Sequence, residues 1–203
     1  MTIRRRLLLA AAPAMLLGGK ALAQRADTRM NDRAVGSPDA KLMVQEWFSL
    51  TCTHCAHFSE TVFPEIKTRL IDTGRIRYVF RDFPLDQVAL AAASLARALP
   101  PERYLPFVET LFATQDSWAF NQEADPLLEL SHQAALAGLS PADIQATLAD
   151  QHLREEIGSG QDDAQQRYGI QGTPTFIFGG TKVFPIVDYE GFASAVDKAI
   201  AAG

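Results

Sequence analysis

Hydrophobic positions along this chain change period several times, and each change marks the edge of an element. Leu42, Val44, Trp47, Phe48 and Leu50 form a strand-forming run in which Val44, Glu46 and Phe48 share one face by a period of two. From Cys55 the residues Ala56, Phe58, Val62 and Phe63 recur at helical spacing. That spacing predicts a helix reaching the stop signal Asp72-Thr73-Gly74, with Pro64 kinking or interrupting it. Over Arg75–Phe83 a second strand follows, Ile76, Tyr78 and Phe80 alternating with Arg77, Val79 and Arg81. Strand, helix and strand at this spacing predict a βαβ unit with parallel pairing and a right-handed crossover.

From Leu85 to about Gly169 the pattern turns wholly helical. Asp86 can cap a helix carrying Val88, Ala91, Ala92, Leu95 and Leu99, and Tyr104, Phe107, Val108, Leu111 and Phe112 mark a second. Asp125-Pro126 opens a third, Ser140-Pro141 a fourth, and Leu153, Ile157, Ala164 and Tyr168 define a last amphipathic one. The aromatics of this block, Trp118 included, read as core. After Gly172-Thr173-Pro174 the spacing returns to strand in Thr175 to Phe178. Gly179-Gly180 turns the chain into Lys182-Val183-Phe184, and Asp188 caps a closing helix with Phe192, Val196 and Ile200. Residues 24–38 lack apolar periodicity and read as a tail and loop.

Composition narrows the class. With 47% hydrophobic residues the chain can build a sizeable core, and a net charge of −5 with no basic stripe argues against nucleic acid or an anionic membrane surface as partner. The first 23 residues read as a targeting segment: Arg4, Arg5 and Arg6, an apolar stretch from Leu7 to Gly19, then Ala21-Leu22-Ala23 as a cleavage site. That stretch is short of the roughly 20 apolar residues a span requires, so export without a membrane span is expected. Its paired arginines resemble a twin-arginine signal, while the leucine run suits the general secretory route as well.

The chemistry lies in Cys52-Thr53-His54-Cys55, which holds both cysteines of the chain at the junction of a strand and a helix N-terminus. Unpaired amides and the positive end of the helix dipole favour a thiolate on Cys52, while Cys55, one turn further in, is close enough to close a disulfide and should be more buried. His54 adds a group that attracts or hydrogen-bonds the same thiolate. A structural disulfide would close too short a loop to stabilise much. Half of a zinc site would need ligands beyond His54 and His57, since His132 and His152 read as helix-surface residues. Glu46 either faces the core near the thiols, where it could exchange a proton with Cys55, or reaches solvent from the strand end.

Taken together, the Cys-x-x-Cys in a βαβ unit, the helical insertion, and Gly-Thr-Pro-Thr before a hairpin and closing helix resemble the DsbA-like thiol:disulfide oxidoreductase family, over nearly all the chain from Gly36. The resemblance implies an α/β thioredoxin-like fold with an inserted helical domain. Residues 39–84 and 169–203 would form the thioredoxin-like unit, with residues 85–168 inserted between them. It also implies that Thr173-Pro174 is cis and faces Cys52, offering backbone to a substrate peptide, and that Glu46 is the acidic residue beneath the disulfide. Thr53 and Thr173 depart from the proline and valine of the best-known oxidases, which bears on the redox potential and leaves the thiol chemistry intact.

The function implied is disulfide donation by a periplasmic monomer to reduced exported proteins, with reoxidation by a DsbB-type membrane partner and no cofactor or resident metal. An isomerase or reductase kept reduced by another membrane partner is the alternative, and a metal- or thiol-binding module using Cys52, Cys55 and His57 is a third.

Overall fold

The computed structural model describes residues 27–203, so the targeting segment falls outside the described residues. At the centre is a five-stranded mixed sheet in the order β1-β3-β2-β4-β5, built from β1 (Arg33–Val35), β2 (Leu42–Phe48), β3 (Ile76–Asp82), β4 (Thr175–Phe178) and β5 (Thr181–Val183). The expected parallel pairing joins β2 to β3, with Val44 opposite Tyr78 and Glu46 opposite Phe80. On the other side β4 runs antiparallel to β2 and sets Phe176 opposite Glu46.

Period-two alternation divides β2 between two cores. Val44 and Phe48 join Tyr78, Phe80, Phe176 and Phe178 in the main core, whereas Trp47 turns to the opposite face with Ile177, Phe83 and Ala164. The main core is closed by α1 (Thr53–Thr61), α2 (Phe63–Ile66), which runs into a π-helical turn over Lys67–Ile71, and the C-terminal α9 (Tyr189–Ala202). The helix expected from Cys55 to Asp72 is therefore broken. It parts at Val62, where Pro64 enters the first turn of the next segment.

Between β3 and β4 lie α3 (Gln87–Ala98), α4 (Pro101–Ala113), α5 (Gln115–Trp118), α6 (Pro126–Leu136), α7 (Pro141–Ala149) and α8 (Gln151–Tyr168). Asp86, Asp125, Ser140 and Asp188 each accept backbone N–H groups at the start of α3, α6, α7 and α9, as the sequence leads one to expect. The short α5 has no counterpart in the periodicity.

One expectation fails at the N-terminal edge: the tail over residues 24–38 contains a strand. β1 pairs antiparallel with β3, Arg33 lying opposite Phe80. Its one buried side chain is Arg33, which pattern reading counts as polar. Arg33 donates to the carbonyls of Arg97 and Leu99 at 2.8 and 3.2 Å. Arg97 in turn donates to the Arg29 and Asn31 carbonyls and pairs with Asp82 at 2.5 Å, both of the pair nearly excluded from water. Removing one partner of such a pair would leave an uncompensated buried charge, so these arginines stitch the N-terminal strand to the helical block.

Candidate active site

Cys52 is the N-cap of α1. Its backbone is extended (φ −85°, ψ 115°), and its Sγ occupies the place usually held by a serine or aspartate oxygen, accepting the Cys55 backbone N–H at 3.2 Å. Across the site the Cys52 thiol donates to the Thr173 carbonyl at 3.4 Å, and the Thr173-Pro174 bond is cis. Both cysteines are reduced.

The two thiols are pushed in opposite directions. The Cys52 thiol is lowered from about 9 to about 6, first by a hydrogen bond from the Cys55 thiol, opposed by burial, then by the Thr173 side chain and the backbone N–H groups of Cys55 and His54. Burial, then the Cys52 sulfur, raises the Cys55 thiol well above its ordinary value. The pair therefore holds a ready nucleophile over a sulfur that resists ionisation.

His54 lies in the first turn of α1. Its ring is exposed, and its contribution to the Cys52 thiolate comes through the backbone N–H. The two distant histidines are also exposed, His132 on α6 and His152 on α8.

Glu46 faces the core. Only 4% exposed, it lies in register between Phe80 and Phe176, and the Tyr78 hydroxyl donates to its Oε2 at 2.8 Å. Burial raises its carboxyl from 4.5 to about 7, partly offset by the Tyr78 hydrogen bond. The same carboxylate charge contributes to holding the Cys55 thiol up, so the two groups sense each other's protons.

Beside Cys52 opens a groove of about 410 Å³ lined by His54, His57, Phe58, Thr173, Pro174 and the loop Phe184–Val187. Phe184 and Val187 are 59% and 73% exposed, and the Phe184-Pro185 bond is cis.

The family profile described as Thioredoxin matches residues 28–198. Wolbachia pipientis alpha-DsbA1, a solved structure, is 32% identical, covers 85% of this chain and 92% of its own, and superposes with a TM-score of 0.76. The chain belongs to the DsbA-like family of thioredoxin-fold proteins. A curated Rickettsia bellii protein bearing the name "Putative protein-disulfide oxidoreductase" is 32% identical over 171 residues, 84% of this chain. The chain spans 65% of that relative's own length. Bacillus subtilis BdbD shares the fold at 22% identity and a TM-score of 0.73, covering 84% of this chain and 93% of its own.

Sequence reasoning misses three members of this DsbA-like site. Periodicity shows Tyr78 only as a strand residue, though its place on the face shared with Glu46 could have found it. The loop Phe184–Val187 follows the last strand and carries no separate signal. Gln115 sits in the unexpected α5. Thr173 raises a prediction of its own: its hydroxyl is buried without a partner in the reduced protein and is a donor in reach of an ionised Cys52. Thr173→Val should raise the Cys52 thiol by about 1–2 pKa units, the scale of one lost hydrogen bond to a charge. The check is thiolate ultraviolet absorbance against pH, and a titration unchanged from the parent would remove the hydroxyl from this role.

Proposed function

We propose that this chain is an exported thiol–disulfide oxidoreductase that donates the Cys52–Cys55 disulfide to proteins folding in the periplasm. The observation that carries this reading is the opposed shift of the two thiols, Cys52 down to about 6 and Cys55 well up, beside an apolar groove. The relatives named for disulfide chemistry support it.

The electrons balance in two exchanges. A substrate thiolate attacks Cys52 Sγ, the Cys52–Cys55 bond breaks, and Cys55 leaves with the electron pair. Its thiolate is disfavoured, so it takes a proton, and Glu46, neutral up to about pH 7, is the buried acid whose charge couples to it. A second substrate thiolate then attacks the substrate sulfur of the mixed disulfide. The stabilised Cys52 thiolate leaves, the substrate gains a disulfide, and the pair is reduced. A quinone-coupled membrane partner of the DsbB type would restore the disulfide. The groove along Pro174 and Phe184–Val187 suits an extended apolar segment of an unfolded chain, and the basic, apolar start of the sequence supports export.

A Cys52 value of about 6 lies between thioredoxin's ~7 and the ~3.5 of the strongest oxidase, which favours isomerase or reductase work as the second reading. Equilibration with glutathione buffers decides direction. For an oxidase the potential should fall between about −120 and −200 mV, with the reduced form melting higher than the oxidised one. A potential at or below about −270 mV, with the oxidised form the more stable, would overturn donation in favour of reduction.

A further inference from the structure

Gln115 reaches from the helical block into the loop that carries the nucleophile. It opens α5, is 5% exposed, and its Nε2 donates to two backbone carbonyls, Leu50 at 2.7 Å and Cys52 at 3.2 Å. Each proton of the side-chain amide is thus committed to the segment joining β2 to α1. The Cys52 carbonyl also accepts the Ala56 N–H at 3.1 Å, the bond that starts α1.

Other ties between the block and this segment lie nearer the surface. The Thr51 hydroxyl donates to Asp86 Oδ2 at 2.7 Å, and the Leu85 N–H donates to Ser49 Oγ at 3.3 Å. Gln115 grips the peptide planes that fix where Cys52 Sγ points. A rotation about Leu50–Cys52 would swing the sulfur off the Cys55 N–H it caps. The carbonyls are polar and buried, so an apolar replacement would leave them short of a donor and free the segment to turn.

We propose that Gln115 is a positioning residue for the thiol chemistry: by holding the Leu50 and Cys52 carbonyls it keeps Cys52 Sγ on the amides that stabilise its thiolate, coupling the helical block to the nucleophile. This rests on the reading of Cys52 as the attacking sulfur.

The test uses the mature chain with Gln115→Met, which keeps the volume and removes both donors. Trp118→Phe is the control, because from the same α5 the Trp118 indole N–H donates to the Leu111 carbonyl at 2.7 Å and not to a carbonyl of the loop. Gln115→Met should raise the Cys52 thiol by about 0.5–1 pKa unit and move the glutathione equilibrium ~3- to 6-fold towards the disulfide form at pH 7. Trp118→Phe should lower the melting temperature and leave the thiol titration at its parent value. If Gln115→Met is too unstable to titrate, Gln115→Glu keeps the shape and, when ionised, offers no proton and sets a like charge near the sulfur, so the same upward shift is expected. A parent-like titration in the Gln115 variants, or an equal shift in Trp118→Phe, overturns the proposal. An ordinary Cys52 value near ~8.5 in the parent would instead sink the reading of Cys52 as an activated thiol.

Discussion

Cys52→Ser should abolish disulfide exchange, a loss of ~10³-fold or more, whereas Cys55→Ser should trap the protein on its substrates. The asymmetry follows from the two environments. Cys52 caps α1 and ionises at about 6, so at neutral pH it attacks disulfides directly. When Cys55→Ser meets an oxidised peptide, the Cys52 thiolate displaces one peptide sulfur and forms a mixed disulfide. The thiol that would resolve it from inside the protein is gone, so the adduct should accumulate and be visible by mass on a non-reducing preparation. Cys52→Ser leaves only Cys55, buried and with its thiol held well above the ordinary range, and should form almost no adduct. The reverse pattern, adducts through Cys55, would move the nucleophile to that sulfur. A binding module would give neither turnover nor trapping with the intact pair.

The second large effect concerns Glu46. Its carboxyl has a folded value of about 7 against an ordinary 4.5, so the neutral form is the one the fold favours. The sign follows: its contribution is fully present below about pH 4.5 and is lost as pH rises through 7. At 1.36 kcal/mol per unit, the reduced protein should lose about 2–3 kcal/mol between pH 5 and pH 8 on this account. Glu46→Gln cannot ionise, so its stability curve should lack that fall. Cys52 contributes an opposite slope in both proteins, gaining stability as pH rises above 6, and because its charge also helps to raise Glu46 the difference between the two curves carries the Glu46 contribution together with that coupling. Urea unfolding of both reduced proteins at several pH values measures this. Exchange should slow by ~10²-fold in the same variant if the carboxyl passes the Cys55 proton. Parallel pH curves for parent and variant would place the Glu46 charge in contact with solvent and remove both expectations.

Which features of this site were legible depended on whether periodicity or tertiary packing placed them. Cys52 at a helix start could be read because apolar spacing switches from two to helical there. Glu46 could be placed on the core face by counting alternate residues from Val44 and Phe48. Its partner was hidden, because the pairing of β2 with β3 has to be known before Tyr78 falls within reach. The caps Asp86, Asp125, Ser140 and Asp188 were legible because N-capping is local chemistry. β1 escaped because its buried side chain is an arginine, tolerated inside only through carbonyls supplied more than 60 residues later. Gln115 escaped for a related reason: a lone glutamine in a four-residue helix has no pattern. The resemblance to DsbA-like proteins supplied the Thr173-Pro174 geometry, which local sequence leaves at the base rate.

The groups that make Cys52 reactive arrive from widely separated stretches: Cys55 and His54 from three residues away or fewer, Gln115 from 63, and Thr173 from 121. In an unfolded chain both thiols would titrate as ordinary cysteines near ~8.5 and be mostly protonated at neutral pH. Only when β4 has zipped onto β2 does Thr173 meet the sulfur. The largest contribution, the Cys55 hydrogen bond, is local, and the Thr173 contribution is added only when the last strands of the sheet are in place. The share of thiolate absorbance at neutral pH that Thr173 supplies should accordingly appear late in refolding, after helical signal has returned, and so serves as an internal clock for completion of the sheet.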